Sequence, residues 1–368
     1  MANEDERFFL FAIQTILHGY PRLMSELIKA EGSASGVFTG DRIRFRDLFG
    51  YQESAWLKFK NFNDWKKLEK IWNHAKASLT SIICICDESY PRMLREIVDP
   101  PLAITVRGRG ELRLNIPCVG IVGSRKANSD GKRLAFEIAG SLCESGFCIV
   151  SGMAYGVDAA AHRGALDAQG NTIAVFGCGL DHIYPAEHLS LSQKISDNGL
   201  LLSEFPIGIR PYPSYFPQRN RIISGMSLGV LIVQAAHSSG SLITAKLALE
   251  QGREVFAVPG VGGSWAVAGS NGLIRDGATL VESVDDMLGI VERELEKWPD
   301  LKKSGHFEDD VGKGSTLLSF FPKRGEVTVD ELIKKTGMET SKILMEITKL
   351  TLGGEILELP GRRFRIGR

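Results

Sequence analysis

Nothing in the sequence is apolar for long enough to cross a bilayer. The longest uninterrupted apolar stretches, such as Phe8 to Ile13, fall far short of the ~20 residues a spanning helix needs. The acidic start MANEDER lacks the basic n-region of an export signal. Net charge is missing too, with 44 Lys+Arg against 44 Asp+Glu in 368 residues. Cysteine is scarce, six in all with no CxxC pair and no metal-ligand spacing, which excludes a disulfide framework and a zinc module. Cys84 and Cys86 lie two apart in the apolar run Ile82 to Cys86, where a strand would put both on one face. All six are expected as reduced core residues of a cytoplasmic protein. With 43% hydrophobic and 24% charged residues the chain is neither disordered nor collagenous. Its length calls for two or three domains.

Resolved along the chain, the net charge is +2 over residues 1–115, −3 over 116–290, −2 over 291–313 and +3 over 314–368. No segment is a basic tail, so a polyanion site must be a local concentration of Arg and Lys on a folded surface. Residues 8–30 and about 52–79 carry apolar positions at helical spacing, with Trp56, Phe59, Phe62, Trp65 and Trp72 expected as core rather than as base-stacking rings. From Ser81 to Gly108 the pattern becomes strand, turn, helix and strand. From Ile116 short apolar runs (PCVGIVG, FCIVSG, NTIAVFG, GLLLSEF, GVLIVQA, EVFAVPG, ATLVES) alternate with helical stretches. That alternation predicts an α/β fold, an extended Rossmann-like doubly wound parallel sheet, whose ligands bind beyond the carboxyl ends of the strands. Residues 299–313 read as a linker. In the tail, a helix capped by Thr328 and ended by Gly337, a second helix over Glu339 to Leu352, and a hairpin turning at Pro360-Gly361 predict a winged-helix-like domain. Lys342 and Lys349 in its second helix are offset by Glu339 and Glu346, so DNA contact and protein contact are equal readings. The domains expected are 1–80 helical, 81–298 sheet, 299–313 linker and 314–368 winged-helix-like.

Residues that can carry chemistry cluster after the strands. Gly123, Ser124 and Arg125 close the first parallel strand without the third glycine of a dinucleotide fingerprint, and the arginine is a forked donor suited to phosphate. Asp158, His162 and Glu204 are acid–base material, yet helix caps and core hydrogen-bond partners are the better reading of all three. Phe216, Arg219, Asn220 and Arg221 combine a stacking ring, phosphate forks and an amide, with an internal pair to Glu204 or Asp158 expected for at least one arginine. Ser238 to Ser241 place small residues at a helix start, a nest of amides for an anion.

The segments VGSR, SGMAYGVDAAAH, GCGLDHIYP, SEFP, FPQRNRIISG, SSGSLITA, GREVFAVPG and SNGLIRDGA occur in this order, and together they resemble the DNA-processing protein A family (DprA, also called Smf) over about Tyr90 to Ala278. The helical start resembles that family's variable N-terminal domain and the tail its winged-helix-like domain. The resemblance implies an extended Rossmann domain that binds single-stranded DNA and forms a homodimer or higher assembly. It implies protection of incoming strands and loading of RecA recombinase in natural transformation, with no catalytic residue, cofactor or metal. Carried over by motif, Gly123, Ser124, Arg125, Arg219, Asn220, Arg221, Ser239, Gly240 and Ser241 would line the DNA pocket, with Phe216 as the stacking ring. The run Pro211 to Tyr215 has no lysine where relatives often have one; Lys246 is a candidate to supply that charge.

Two other classes compete. A Rossmann-type nucleotide phosphoribohydrolase would place a catalytic glutamate where this chain has Thr244, which cannot replace a carboxylate as acid or base. An assembly scaffold would leave the Arg-Asn-Arg cluster and the serine nest without a task. Self-association is expected on the later half of the sheet, around Val255 to Val258, Leu273-Ile274 and Leu280-Val281, against burial of each of these in the core.

Overall fold

Helices α1 (Glu4–Ile16), α2 (Pro21–Glu31), α3 (Ala34–Phe38), α4 (Glu53–Lys60) and α5 (Trp65–Ala77) open the chain. Their starts and stops follow local chemistry. Ser33 accepts the Gly36 amide at the start of α3, and Gly32 ends α2 at φ +82°, a left-handed conformation suited to glycine. Trp56, Phe59 and Trp72 are buried as expected, together with Phe11, and Phe62 and Trp65 are half-buried against them. In this computed structural model the residues described are 4–77, 80–108, 114–304, 317–322, 325–336, 338, 340–352 and 356–366. Among them no helix is long and apolar enough to cross a membrane.

A nine-stranded sheet follows, in the order β1-β2-β6-β5-β4-β3-β7-β8-β9. Strands β1 (Thr80–Cys84) and β2 (Ala103–Arg107), joined through α6 (Arg92–Arg95), add an antiparallel edge to β6. The other seven strands run parallel. They are β3 (Cys118–Gly123), β4 (Cys148–Ser151), β5 (Thr172–Phe176), β6 (Leu200–Ser203), β7 (Gly229–Val233), β8 (Glu254–Ala257) and β9 (Thr279–Leu280). Between them lie α7 (Ser129–Glu144), α8 (Val157–Asp167), α9 (Leu189–Asn198), α10 (Tyr215–Gly225), α11 (Gly240–Glu250) and α12 (Ala268–Arg275), and after β9 come α13 (Asp285–Glu296) and α14 (Pro299–Ser304). Alternate strand residues face opposite layers: Val230 and Ile232 pack with Ile222, Ile223 and Ala245 of α10 and α11, while Leu231 and Val233 pack with Ile138, Leu142 and Ala161 of α7 and α8. The sheet is therefore covered on both faces. Chain order runs outward from β3 through β4, β5 and β6, then restarts at β7 on the other flank of β3. The β3/β7 boundary is thus the topological switch point.

The expected strands appear where the apolar runs predicted them. The segmentation differs. The chain divides into two compact units, 1–307 and 308–368, so the opening helices belong with the sheet. Their core continues into Cys84, Leu102 and Ala103, and buried Gln14 donates to the Glu204 carbonyl at 3.1 Å and accepts from the Leu102 amide at 2.9 Å. A single polar side chain satisfied at both ends ties α1 to the start of β2 and the end of β6 through the residues that flank them. The segment expected as a linker starts with a helix, α14, because Leu301 is buried with Val291 and Leu295; residues 305–313 of that segment lie outside the described residues. Cys86 falls beyond the end of β1 and is exposed, and Cys143 is half-buried, so only Cys84, Cys118, Cys148 and Cys178 are core thiols. Val255 to Val258 and Val281 are consumed by the core, Leu273 and Ile274 are half-buried, and Leu280 is 43% exposed on the edge strand.

In the second unit, α15 (Val329–Thr336) begins with a capping box in which the Thr328 hydroxyl accepts the Glu331 amide and the Glu331 carboxylate accepts the Thr328 amide. Helix α16 (Thr340–Leu352) follows, and β10 (Val327–Thr328), β11 (Ile356–Leu359) and β12 (Arg363–Ile366) form a small antiparallel sheet in the order β10-β12-β11. The hairpin turns at Pro360-Gly361, with Gly361 at φ +87°. The expected stop at Gly337 and start at Glu339 lie outside the described residues.

Candidate nucleic-acid interface

The switch point is held by backbone bonds. The Ser124 amide donates to the carbonyls of Val233 and Gln234 at 3.3 and 2.9 Å, so the first residues after β3 and β7 are locked together. Gly123 is required here, since a Cβ would run into the Val233 backbone. Arg125 then projects into solvent, its guanidinium 5.7 Å from the centroid of the Phe216 ring. Phe216, in the first turn of α10, is half-buried; Tyr184, 42% exposed in the loop after β5, lies 5.3 Å away at 40°. Cation and ring are both accessible, which allows phosphate contact by one and base stacking on the other. The sequence places Tyr184-Pro185 close behind the turn after this strand but does not mark Tyr184 as a stacking ring. Its position shortly after a parallel strand was the available signal.

Arg219 reaches the same place from beneath. It is 4% exposed, donates to the carbonyls of Gly152 at 2.6 Å and Val175, and its Nε donates to Asn220 Oδ1 at 3.2 Å. Gly152 leaves room for the guanidinium, which a Cβ would strike. Burial pulls the Arg219 pKa down to about 10, opposed by the Asp158 charge. Asp158, itself pushed above its ordinary value by burial, accepts the amides of Gly152 and Ala154 at 3.1 and 3.2 Å. Asp158 is therefore an internal hydrogen-bond acceptor that shapes the loop after β4 and balances Arg219. Arg219 braces Phe216 and the ends of β4 and β5 more than it faces solvent.

Arg221 goes elsewhere. Two residues on a helix are about 200° apart, and Arg221 lies on the far side of α10, 4% exposed, 2.5 Å from Glu204 and 3.5 Å from Asp99. The expected internal pair is present, and it involves Arg221. Tyr215 also turns inward, against Phe205 at 4.5 Å, so the pair Tyr215-Phe216 presents one ring outward rather than two. The serine nest is partly self-satisfied: Ser239 Oγ accepts the Ser241 amide at 3.4 Å and sits 2.7 Å from Ser241 Oγ, leaving exposed Gly240 at the open start of α11. Lys246 is 79% exposed farther along α11 and faces Glu250 at 3.8 Å. The structure thus gathers Gly123, Ser124, Arg125, Phe216, Arg219 and Asn220, places Ser239 to Ser241 in the adjoining loop, and directs Arg221 and Lys246 to other partners.

His162 belongs to the core. Its Nδ1 lies 2.7 Å from Thr172 Oγ1, whose hydroxyl already donates to the Ile149 carbonyl, so Nδ1 carries the proton and Nε2 is left buried without a partner. Burial lowers its pKa to about 3. A histidine that titrates near 6.5 when unfolded and near 3 when folded stabilises the fold fully above pH 6.5 and loses that contribution as pH falls toward 3. By pH 4.5 the loss should reach about 2–3 kcal/mol. Urea unfolding from pH 7 to 4.5 is expected to show a steeper decline in wild-type protein than in His162→Gln; parallel declines would contradict it.

Residues 81–292 match the model of the family described as DNA recombination-mediator protein A. The chain is 38% identical to Protein Smf of Escherichia coli K12 over 289 residues, 76% of each chain. It is 40% identical to the DNA processing protein DprA of Bacillus subtilis 168 over 235 residues, 64% of this chain and 79% of that one. Among solved structures, the X-ray structure of DNA processing protein A from Streptococcus pneumoniae superposes with a TM-score of 0.67 at 32% identity, covering 78% of this chain and 98% of that one. A Helicobacter pylori DNA processing protein A, solved for its single-stranded DNA binding mode, gives 0.52 at 30% identity, covering 59% and 96%.

Proposed function

The chain belongs to the DNA recombination-mediator protein A family, and from that membership we propose that it binds single-stranded DNA at the carboxyl-end edge of its sheet and acts in DNA processing. The observation that carries this reading is Arg125 lying over Phe216 with Tyr184 alongside: a solvent-facing phosphate donor beside aromatic faces, at the switch point where an open α/β sheet takes its ligands. The site proposed comprises Gly123, Ser124, Arg125, Phe216, Asn220 and the loop Ser239 to Ser241, with Arg219 beneath it. In the finer reading the protein protects incoming strands in the cytoplasm and delivers RecA recombinase to them. A pocket of this size holds few nucleotides, so long strands are bound by dimers or larger assemblies, through multivalency. The tail, 314–368, is read as a winged-helix-like accessory.

Binding without turnover fits the carboxylates. Asp158 and Glu204 are buried and engaged, and Thr244, at the hydrolase's glutamate position, is 1% exposed. The test is a titration with labelled oligo-dT and with matching duplex at several salt concentrations. The single strand should bind more tightly, its log affinity falling linearly with log salt; failure to bind it at low salt would sink the reading. Base or phosphate release from nucleoside monophosphates, NAD or ATP, scaling with protein and abolished by Glu204→Gln, would favour the hydrolase.

A further inference from the structure

We propose that Trp265, in the loop after β8, is a second base-stacking position on the same edge of the sheet, so that the strand held at Arg125 and Phe216 continues across β7 onto this loop. The inference rests on the single-strand reading of that edge. Trp265 is 72% exposed and Val261, in the same loop, 83%. The other four tryptophans are accounted for by packing: Trp56 and Trp72 are buried, and Trp65 and Trp298 lie against hydrophobic clusters. An exposed indole beside an exposed valine is an apolar surface on which a flat ring can stack.

Topology and hydrogen bonds place the loop beside the proposed site. β8 runs parallel to β7 and β3, so its following loop emerges at the same edge, two strand spacings from β3, about 10 Å. The loop is fastened there at both ends. Asn271 pairs with both backbone groups of Gly260 at 3.0 Å, and the amides of Gly269 and Ser270 donate to the Ala235 carbonyl at 2.7 and 3.1 Å. Ala235 follows Gln234, whose own carbonyl holds the Ser124 amide. One stretch of backbone after β7 therefore carries Arg125 on one flank and the Trp265 loop on the other. Between the fastenings the loop is open: a Cβ on Gly262 or Gly263 would meet nothing within 4 Å. Residues 255–274 contain no charged side chain. A neutral loop with one exposed indole suits the face of a base, with no added phosphate contact.

The experiment uses full-length protein and oligo-dT of increasing length, read by anisotropy and by intrinsic tryptophan emission, with Arg125→Ala as the control for the first position. Wild-type emission should be quenched by oligo-dT, and Trp265→Phe should abolish the quenching while keeping most of the affinity. Trp265→Ala should weaken binding of longer oligonucleotides by roughly fivefold to a hundredfold, with the shortest oligonucleotides that bind, and the thermal midpoint, little changed. Wild-type binding together with unchanged affinity in Trp265→Ala, or quenching that persists in Trp265→Phe, overturns this position and leaves the first intact. A Trp265→Ala protein that sediments as a smaller species than wild type overturns it in favour of a contact between protein copies. No binding of oligo-dT by wild-type protein overturns both readings.

Discussion

Arg125→Ala protein is expected to bind oligo-dT roughly tenfold to a hundredfold more weakly at fixed salt, the range for losing a charge-assisted hydrogen bond, while its fold is unaffected. Arg125 is exposed, and Phe216 is its ring neighbour, so truncation leaves no buried group unpaired. The loss should be the same for all base sequences, since phosphate contacts carry no base information. The slope of log affinity against log salt should flatten by about 0.7, one phosphate contact on a single strand. Arg125→Lys separates charge from geometry: it should keep the slope but lose part of the affinity, because an ammonium lacks the planar fork that covers the ring. A folded Arg125→Ala protein with unchanged affinity and slope would remove Arg125 from the interface.

Arg221→Ala should fail differently. Glu204, 2% exposed, would be left in the interior with Asp99 nearby and no cation between them. Removing one partner of such a pair costs about 3–5 kcal/mol, whereas replacing both with apolar residues is often close to neutral. Urea unfolding should therefore show the double variant Arg221→Met, Glu204→Leu to be more stable than Arg221→Ala. Burial already raises the Glu204 pKa, so Glu204→Gln should be milder than Glu204→Ala. The double variant should retain DNA binding that depends on Arg125. Its loss in a folded double variant would return Arg221 to the interface, and a double variant less stable than the single would contradict the assignment of Arg221 as an internal counter-ion.

The sequence by itself determined the strands and the edge on which function sits. Apolar runs such as GVLIVQA are buried on both faces and leave little choice but a covered parallel strand. The turns that follow them, VGSR above all, must then lie at the carboxyl ends. The order of motifs was enough to indicate the family, and the bland readings of Asp158 and His162 came from the ordinary behaviour of such residues as helix-start acceptors and core hydrogen-bond partners. What spacing could not decide was direction and partner. Arg219 and Arg221 look equivalent in FPQRNR, yet the helical rotation sends one toward Gly152 and Val175 and the other toward Glu204 and Asp99. Those partners come from loops distant in sequence and adjacent only through the strand order. The same holds for Tyr184 and Trp265, aromatic residues in loops after β5 and β8 whose exposure depends on what packs beside them. Cys86 loses its place in the core because β1 stops two residues earlier. Val255 to Val258 are absorbed because helices cover both faces of the sheet there, Val255 packing with Ala245 and Ala248 of α11 and Phe256 and Val258 with Met287 and Val291 of α13. Local pattern specifies which residues are apolar and how often they recur; only the packed sheet, by bringing distant loops to one edge, decides which polar and aromatic groups remain free to meet a ligand.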